Sequence, residues 1–407
     1  MECLPTELVG EIAHHLSIFD ISRLRLTCRT LSDKTHSQFF SEVKLDFSDL
    51  DAACLASKLE GLPVFASKAS AHTKLLKIHG PHIQREQILI PLCAAVKYAL
   101  NLLQNVTSFQ WIMNLDIPVL EIIIIDYLMS LPSLESLALY CFTKTSTHFP
   151  INNFTRLRSL SLAHSSAVDL TEEFSPLAIH PRLERLSLLA ESGHHAREGL
   201  FVLQAAACPA PPTQPFRLQT FEADGISVKL PCETLLLFRS LIRLHIPCWY
   251  TKPVDQLGGE LWPILQREQM HLRSIVVPDV HDTLLAYLAS YSGLEELIIH
   301  SAGAQNVSTF DALADQFYQT VLPLHANTLT KLHVNALIGN RWCVGEHNMD
   351  VLRDCLRLLS IKLSVSSQTT EEFGVSWSDY LMCPLYLPKT ISPRSSLTIC
   401  WIRRFWN

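Results

Sequence analysis

A six-residue pattern, L-x-x-L-x-L with aliphatic or aromatic replacements, recurs along this chain and constrains its fold more than any other feature. Nine clear copies run from residue 134 to residue 363, and two weaker ones precede them, around Leu76–Ile78 and Val106–Trp111. The middle residues of the nine copies are Leu137, Leu160, Leu186, Phe221, Leu244, Ile275, Leu297, Leu332 and Ile361. Successive middle residues are 22 to 35 residues apart, with a mean of 28. One short strand, one helix and two loops need about that length, so the pattern predicts a repeated strand–helix unit.

The segments between the copies carry apolar residues at helical spacing. They are Arg85–Gln104, Pro118–Leu131, His195–Ala207, Asp255–Met270, His281–Tyr291, Thr309–Leu322 and His347–Leu359. Alternating strands and helices predict an α/β fold whose parallel strands are joined by helices. Because the strand repeats without a reversal signal, we expect a solenoid with a parallel concave sheet and convex helices. A generic α/β domain with leucine-rich strands is the alternative.

Composition excludes several classes of protein. Hydrophobic residues make up 48% of the 407 residues and charged residues 18%, which excludes a disordered chain. Twelve cysteines without a CxxC pair indicate buried thiols in a reducing compartment. The net charge of −6 is spread without runs, so we expect no nucleic-acid or membrane partner. With no signal-peptide pattern and no membrane-length apolar run, we expect a cytoplasmic or nuclear protein, or both.

The first 45 residues follow a different pattern. Leu8, Ile12 and Leu16 recur every four residues and predict one helix face. Asp20 is a plausible N-cap for a second helix, which carries Ile21, Leu24, Cys28 and Leu31. A third helical stretch runs from about Asp33 to Phe40. Three helices this short bury little surface, so we expect the unit to lean on the repeats or on a partner.

In order, these residues resemble an F-box. The matching elements are Leu4-Pro5, Glu7-Leu8, Ile12, Leu16, Asp20, Leu24, Cys28-Arg29, Leu31, Phe40 and Val43. The architecture as a whole resembles the F-box proteins with C-terminal leucine-rich repeats, in the divergent form seen in fungi. This repeat family often carries asparagine or cysteine soon after the third leucine. Those positions hold Phe142, Ser165, Glu191, Ile226 and Trp249, with Cys141 and Cys248 one residue earlier, so the asparagine ladder is absent. The domains would be an F-box at 1–45, a repeat solenoid at 46–363 and a C-terminal cap or tail at 364–407, where Trp401, Phe405 and Trp406 could cover the last repeat.

The resemblance implies a partner for the first segment. F-box proteins are substrate receptors of SCF-type ubiquitin ligases, and their helices dock onto a Skp-type adaptor carried by a cullin. The residues that would form or support the adaptor surface are Leu4, Pro5, Leu8, Ile12, Leu16, Leu24 and Leu31. For Leu8, Cys28 and Leu31, holding the three helices together is the alternative role. A repeat scaffold that tethers a partner without recruiting a ligase is the alternative function.

The repeats predict a second surface, because side chains in a strand point alternately to opposite faces. If the leucine-type positions face the core, the positions between them line the concave face and would bind a target protein. That lining comprises Tyr140, Arg185, Glu222, Asp224, Arg243, His245, Glu296, His300, Lys331, His333 and Lys362. An ordinary solvated surface is the alternative for any single one of them.

Motifs for catalysis are missing from the sequence. There is no GxSxG elbow, phosphate loop, HExxH or GxGxxG motif. Cys343 and His347 are four residues apart, but no second ligand pair accompanies them. We therefore expect neither an enzyme nor a bound metal or cofactor.

Overall fold

A computed structural model describes most of the chain. The described residues are 4–48, 52–80, 86–113, 117–141, 150–164, 178–179, 182–190, 200–202, 204–205, 217–229, 239–247, 258–302, 307–336, 341–365 and 397–402. By contact the chain divides into two units, one of Met1–Leu183 with Gly193–Ala196 and one of Glu184–Ser192 with Arg197–Asn407. The prolines of the Cys208–Pro215 stretch lie outside the described residues, as do Phe405 and Trp406.

The first unit opens with four short helices rather than the three that the sequence predicted. They are α1 (Thr6–His14), α2 (Ile18–Thr27), α3 (Arg29–Lys34) and α4 (His36–Ser41). The third predicted helix is divided at Thr35, which separates α3 from α4. The predicted N-cap of α2 is wrong: Ser17 caps the helix, its hydroxyl accepting the Asp20 N–H at 3.2 Å and donating to Asp20 Oδ2 at 2.6 Å.

Five parallel strands and three helices follow in the first unit. They are β1 (Glu42–Asp46), α5 (Ala52–Ala69), β2 (Leu75–His79), α6 (Glu86–Leu102), β3 (Ser108–Met113), α7 (Pro118–Ser130), β4 (Ser136–Cys141) and, after a short 3-10 turn, β5 (Ser159–His164). A two-residue strand, β6 (Ala178–Ile179), lies beyond them. Both weak copies of the pattern form strands, β2 and β3. The sheet starts at Glu42, ahead of the boundary predicted at residue 45.

The second unit has seven parallel strands in its main sheet and an eighth that runs against them. The elements are β7 (Arg185–Ala190), β8 (Leu200–Val202), β9 (Gln204–Ala205), β10 (Thr220–Asp224), β11 (Ser227–Lys229), β12 (Arg243–His245), α8 (Gly258–Arg267), β13 (Ser274–Val277), α9 (Asp282–Leu288), β14 (Glu296–Ala302), α10 (Val307–Gln316), a π-helical turn (Phe317–Val321), α11 (Leu322–His325), β15 (Lys331–Ala336), α12 (Glu346–Asp354), β16 (Ser360–Val365) and β17 (Leu397–Ile402). Strands β8 and β11 form a separate parallel pair. The helix predicted over His195–Ala207 is wrong where it is described, since residues 200–202 and 204–205 are strands.

The sequence repeat and the strand register coincide within each unit. In the first unit Leu76 pairs with Phe109, Phe109 with Leu137 and Leu137 with Leu160. In the second unit the middle residues pair in the same way from Leu186 to Ile361, each with the next. The predicted α/β class, N-terminal helices followed by an open parallel sheet consistent with a solenoid, is confirmed.

The two faces of the strands differ as the period of two requires. The leucine-type positions are buried, except that Leu358 and Ile361 of the last copy are half-buried. The helices that follow the strands pack on that side, where the Phe109 and Tyr127 rings lie 6.2 Å apart. The positions between them lie on the opposite side, called here the open face, and they are mostly exposed or half-buried.

Tyrosine side chains hydrogen-bond to the segments that lead from a helix into the next strand. Tyr127 donates to the Leu103 carbonyl, Tyr287 to that of Met270 and Tyr291 to that of Leu272, at 2.5, 2.6 and 2.9 Å. Each bond satisfies a buried backbone carbonyl ahead of a strand, which would otherwise be costly to desolvate.

Candidate functional site

On the open face of the second unit, a chain of hydrogen bonds joins four neighbouring strands. His245 Nε2 lies 2.7 Å from Ser274 Oγ, and Ser274 Oγ lies 2.7 Å from Glu296 Oε2. The other carboxylate oxygen of Glu296 accepts a bond from Lys331 Nζ at 2.6 Å. Register places these residues together, since Ser274, Glu296 and Lys331 pair in turn across β13, β14 and β15.

The direction of these bonds decides what Ser274 can do chemically. A serine hydroxyl has one proton, and the Glu296 carboxylate can only accept, so Ser274 donates to Glu296. His245 must then donate its Nε2–H to the serine oxygen. The histidine does not withdraw the serine proton in this arrangement, and the three groups hold one another in place.

Charge balance within the network is reflected in its pKa values. Burial alone would raise the pKa of the Glu296 carboxyl, but hydrogen bonds from Lys331 and Ser274 outweigh burial and lower it. Burial lowers the pKa of His245, although Glu296 and Glu222 act against that shift. The network therefore holds an ionised Glu296 beside a neutral histidine at neutral pH.

Two further contacts flank the network. His333 Nε2 lies 2.9 Å from Ser360 Oγ, and Ser187 donates to Glu222 Oε2 at 3.2 Å. Burial, together with the positive charges of Lys331 and Lys362, lowers the pKa of His333 to about 4.

All eleven residues of the predicted lining lie on strands. Tyr140 is on β4 of the first unit and the other ten are on strands of the second unit. Sequence reasoning missed Ser187, Ser274 and Ser360, which bond to members of the lining. Each of these serines stands next to a leucine-type position of the repeat, and the period of two could have placed it on the open face. That these side chains bind a target stays a prediction.

The N-terminal helices are held by a small core of their own. Val9 and Ala13 of α1, Ile21 of α2, Leu31 of α3 and Phe40 of α4 are buried. A separate contact fixes α2 against the later helices: Arg25 donates to the Ser32 carbonyl at 2.7 Å, and its guanidinium lies 4.5 Å from the centre of the Phe39 ring.

These helices also expose more apolar side chain than their own core uses. The exposed large residues are Leu8, Ile12, Ile18, Phe19 and Leu26, called here the N-terminal apolar surface. Phe19 is 77% exposed and Leu26 85%. Five exposed large apolar side chains on two short helices are more than such a unit leaves open by chance, which favours a protein-binding role for it.

This helical unit has a counterpart among known domains. Residues 1–40 match the F-box domain. The chain therefore carries an F-box, as the sequence resemblance predicted. No curated protein sequence matches the chain.

The residues predicted to meet the adaptor occupy different environments in the F-box. Pro5, Leu8 and Ile12 are exposed, whereas Leu4, Leu16 and Leu24 are half-buried. Leu31 is buried in the core of the helices, which agrees with its alternative, supporting role. Leu8 is 52% exposed, so about half of it is open to a partner, and both of its predicted roles stay predictions.

Two more observations concern the F-box residues. Cys28 Sγ accepts the Leu31 N–H at 3.5 Å and so caps the start of α3. Sequence reasoning missed Ile18, Phe19 and Leu26. For Phe19 and Leu26 the signal was their position off the helical stripe of Ile21 and Leu24, where an amphipathic helix usually carries polar residues.

Across the described ranges, no group of three or more histidine, cysteine, aspartate or glutamate side chains is placed to hold a metal ion. In the same residues, no helix combines the length and the apolar character needed to span a bilayer.

Proposed function

We propose that this chain is the substrate-recognition subunit of an SCF-type ubiquitin ligase. F-box domains bind Skp-type adaptors within SCF complexes, and the F-box here supports a general adaptor role in such a ligase. The observation that carries the proposal is the N-terminal apolar surface on the matched residues, since a partner would cover it. The cullin then joins through the adaptor, in the cytoplasm or the nucleus.

The strand–helix units are, in this proposal, leucine-rich repeats that bind the target protein on their open face. The in-register copies of the L-x-x-L-x-L pattern support the assignment. The open face of the second unit supports the binding role, because it presents fixed polar groups and charges of both signs. Such a surface suits a polar protein ligand, whose orientation complementary charges would set. The chain itself performs no covalent chemistry in this role.

Binding of a purified Skp-type adaptor tests the proposal most directly. We expect the double variant Phe19→Ser and Leu26→Ser to bind the adaptor about ten- to a hundredfold more weakly, since it removes two large interface side chains. Calorimetry with the parent chain and the variant measures the loss. Both side chains are exposed, so the variant should keep the parent's melting temperature.

A matched control is the double variant Leu356→Ser and Leu359→Ser, which changes two exposed leucines far along the chain. We expect it to bind the adaptor as the parent does. Equal affinity for the Phe19 and Leu26 variant and the parent would count against the adaptor surface. Retention of the adaptor without cullin in a cell-extract pull-down would favour the tethering scaffold.

A further inference from the structure

One row of side chains on the open face crosses six neighbouring strands of the second unit in register. From β10 to β16 the row comprises Glu222, His245, Val276, Ile298, His333 and Lys362. Each residue pairs with the next, so the row is continuous. It has an acidic side chain at one end, apolar side chains in the middle and a basic side chain at the other end.

The acidic end of the row carries a second carboxylate beside that of Glu222. Asp224 lies two residues after Glu222 on the same strand and hence on the same face. Among the described residues, neither carboxylate forms an ion pair within the chain. Burial lowers the pKa of His300, and the negative charge of Asp224 acts against that shift. This carboxylate therefore lies close enough to His300 to act on its charge.

The basic end carries Lys362, which is exposed on β16. Among the described residues, Lys362 forms no ion pair, whereas Lys331 is bound to Glu296 at 2.6 Å. The low pKa of His333 between these two lysines, caused by burial and by their positive charges, indicates a positive potential at this end. An acidic side chain of a bound partner would therefore complement the charge at this end.

The middle of the row is apolar and narrow. Val276 is buried and Ile298 half-buried, with part of its side chain open to solvent. The polar residues beside them, Ser274, Glu296 and Lys331, already bond to one another. A strip one side chain wide fits an extended segment better than a helix, which is about 10 Å across.

We propose that the open-face row binds an extended segment of the target protein that presents a basic, an apolar and an acidic side chain in that order. This inference rests on the proposed function and names the class of target. Five strand spacings of about 4.8 Å separate Glu222 from Lys362, or about 24 Å. At about 3.4 Å per residue this distance is about seven residues, and because every second side chain of an extended segment points the same way, the basic and acidic side chains are about six or eight residues apart. The apolar side chain lies over Ile298, about four residues from the basic one.

Selection of random twelve-residue peptides displayed on phage tests the inference, with the full chain bound to its Skp-type adaptor as bait. We expect enriched peptides to carry Lys or Arg, then an apolar residue about four positions away, then Asp or Glu about two or four positions beyond. The order of charges in the enriched peptides should change when charges of the open-face row are reversed. Glu222→Lys together with Asp224→Lys should change the preferred basic residue to an acidic one, and Lys362→Glu should change the acidic residue to a basic one.

The control is Lys97→Glu, the same charge change on the exposed surface of α6, and it should leave the selected pattern as it is for the parent. The milder Glu222→Gln should weaken the preference for a basic residue without reversing it, which guards against misfolding of the double variant. Peptides without charge order, peptides whose order ignores the substitutions, or no enrichment at all would overturn the inference. If adaptor binding persists in those cases, the proposed function stands and only the target class is wrong.

Discussion

At the scale of single residues, His325 connects two repeats from inside the core. It is buried, its Nδ1 accepts the Leu294 N–H at 3.3 Å, and its Nε2 donates to the Leu288 carbonyl at 3.1 Å. Both bonds exist together only for the neutral ring. Burial lowers the pKa of His325 from its ordinary value of 6.5, although the bond to Leu288 acts against the shift.

The stability of the protein should therefore depend on pH through this residue. Since the pKa is lower in the folded chain, the unfolded chain binds more protons as the pH falls below about 6.5. The stabilisation is complete above that pH and is lost as the pH falls toward the folded-state value. We expect His325→Phe to be less stable than the parent at pH 7.5, by about 1–3 kcal/mol, because Leu294 N–H loses its partner. Its free energy of unfolding in urea should fall less steeply between pH 7.5 and 5, and equal slopes would contradict this account.

Leu186 is another residue whose role can be measured. It is fully buried as the middle residue of its repeat on β7. We expect Leu186→Ala to lower the free energy of unfolding by about 2–5 kcal/mol, and Leu186→Asp to do worse because it buries a carboxylate. Leu356→Ala, at an exposed leucine, should stay within about 0.5 kcal/mol of the parent. A soluble Leu186→Asp chain with the melting temperature of the parent would refute the strand assignment.

At the scale of elements, the turn between β10 and β11 depends on glycine. Gly225 has φ +71°, and a Cβ at this position would lie 2.0 Å from the Ala190 carbonyl oxygen at the end of β7. The contacting atom belongs to the backbone, so it cannot rotate away as a side chain could. The turn can come this close to β7 only with a residue that has no side chain and tolerates positive φ.

We expect Gly225→Ala to destabilise the protein. Backbone strain at positive φ should cost about 1–3 kcal/mol, and the clash with Ala190 should add to that cost. The control is Gly61→Ala in the interior of α5, where a Cβ meets nothing within 4 Å. It should stabilise the helix by about 0.5–1 kcal/mol, since alanine loses less backbone entropy on folding. Thermal unfolding of both variants measures the contrast, and similar shifts in the same direction would argue against this description of the turn.

The elements also show which parts of the fold the sequence could predict. The strands followed from the L-x-x-L-x-L copies because a period of two fixes which side chains are buried, and the same period placed the lining on the open face. Residues 200–205 were predicted as helix because short apolar runs fit either period. The cap of α2 was misplaced because Ser17 and Asp20 are both capping residues and bond to each other. The His245–Ser274–Glu296 contacts depend on register between distant segments, which no local pattern encodes.

At the scale of the whole molecule, the N-terminal apolar surface and the open-face row lie on separate parts of the chain. One depends on the F-box helices and the other on strands that begin more than 150 residues later. If each surface binds its own partner, substitutions in one should leave the other intact. Lys331 is a poor choice for such a test because its ammonium group neutralises Glu296 within the protein.

We therefore expect Arg243→Glu together with Lys362→Glu to weaken capture of target proteins from cell extract while the adaptor and cullin are retained. Both side chains are exposed. Phe19→Ser with Leu26→Ser should do the reverse, losing the adaptor and cullin while target proteins are still captured. Pull-downs compared by mass spectrometry measure both. Loss of the adaptor in the first variant, or identical captured proteins in the first variant and the parent, would refute the separation.

The direction of β17 limits where further strand–helix units could be added to the sheet. Strand β17 pairs antiparallel with β16, from Ser360 opposite Ile402 to Val365 opposite Leu397. A duplicated strand–helix unit inserted between two inner strands would find a parallel neighbour on each side. A unit appended after β16 would have to displace β17 from the backbone groups that it occupies. Gain or loss of repeats between related chains should therefore occur upstream of β16, with β17 kept as the terminal strand.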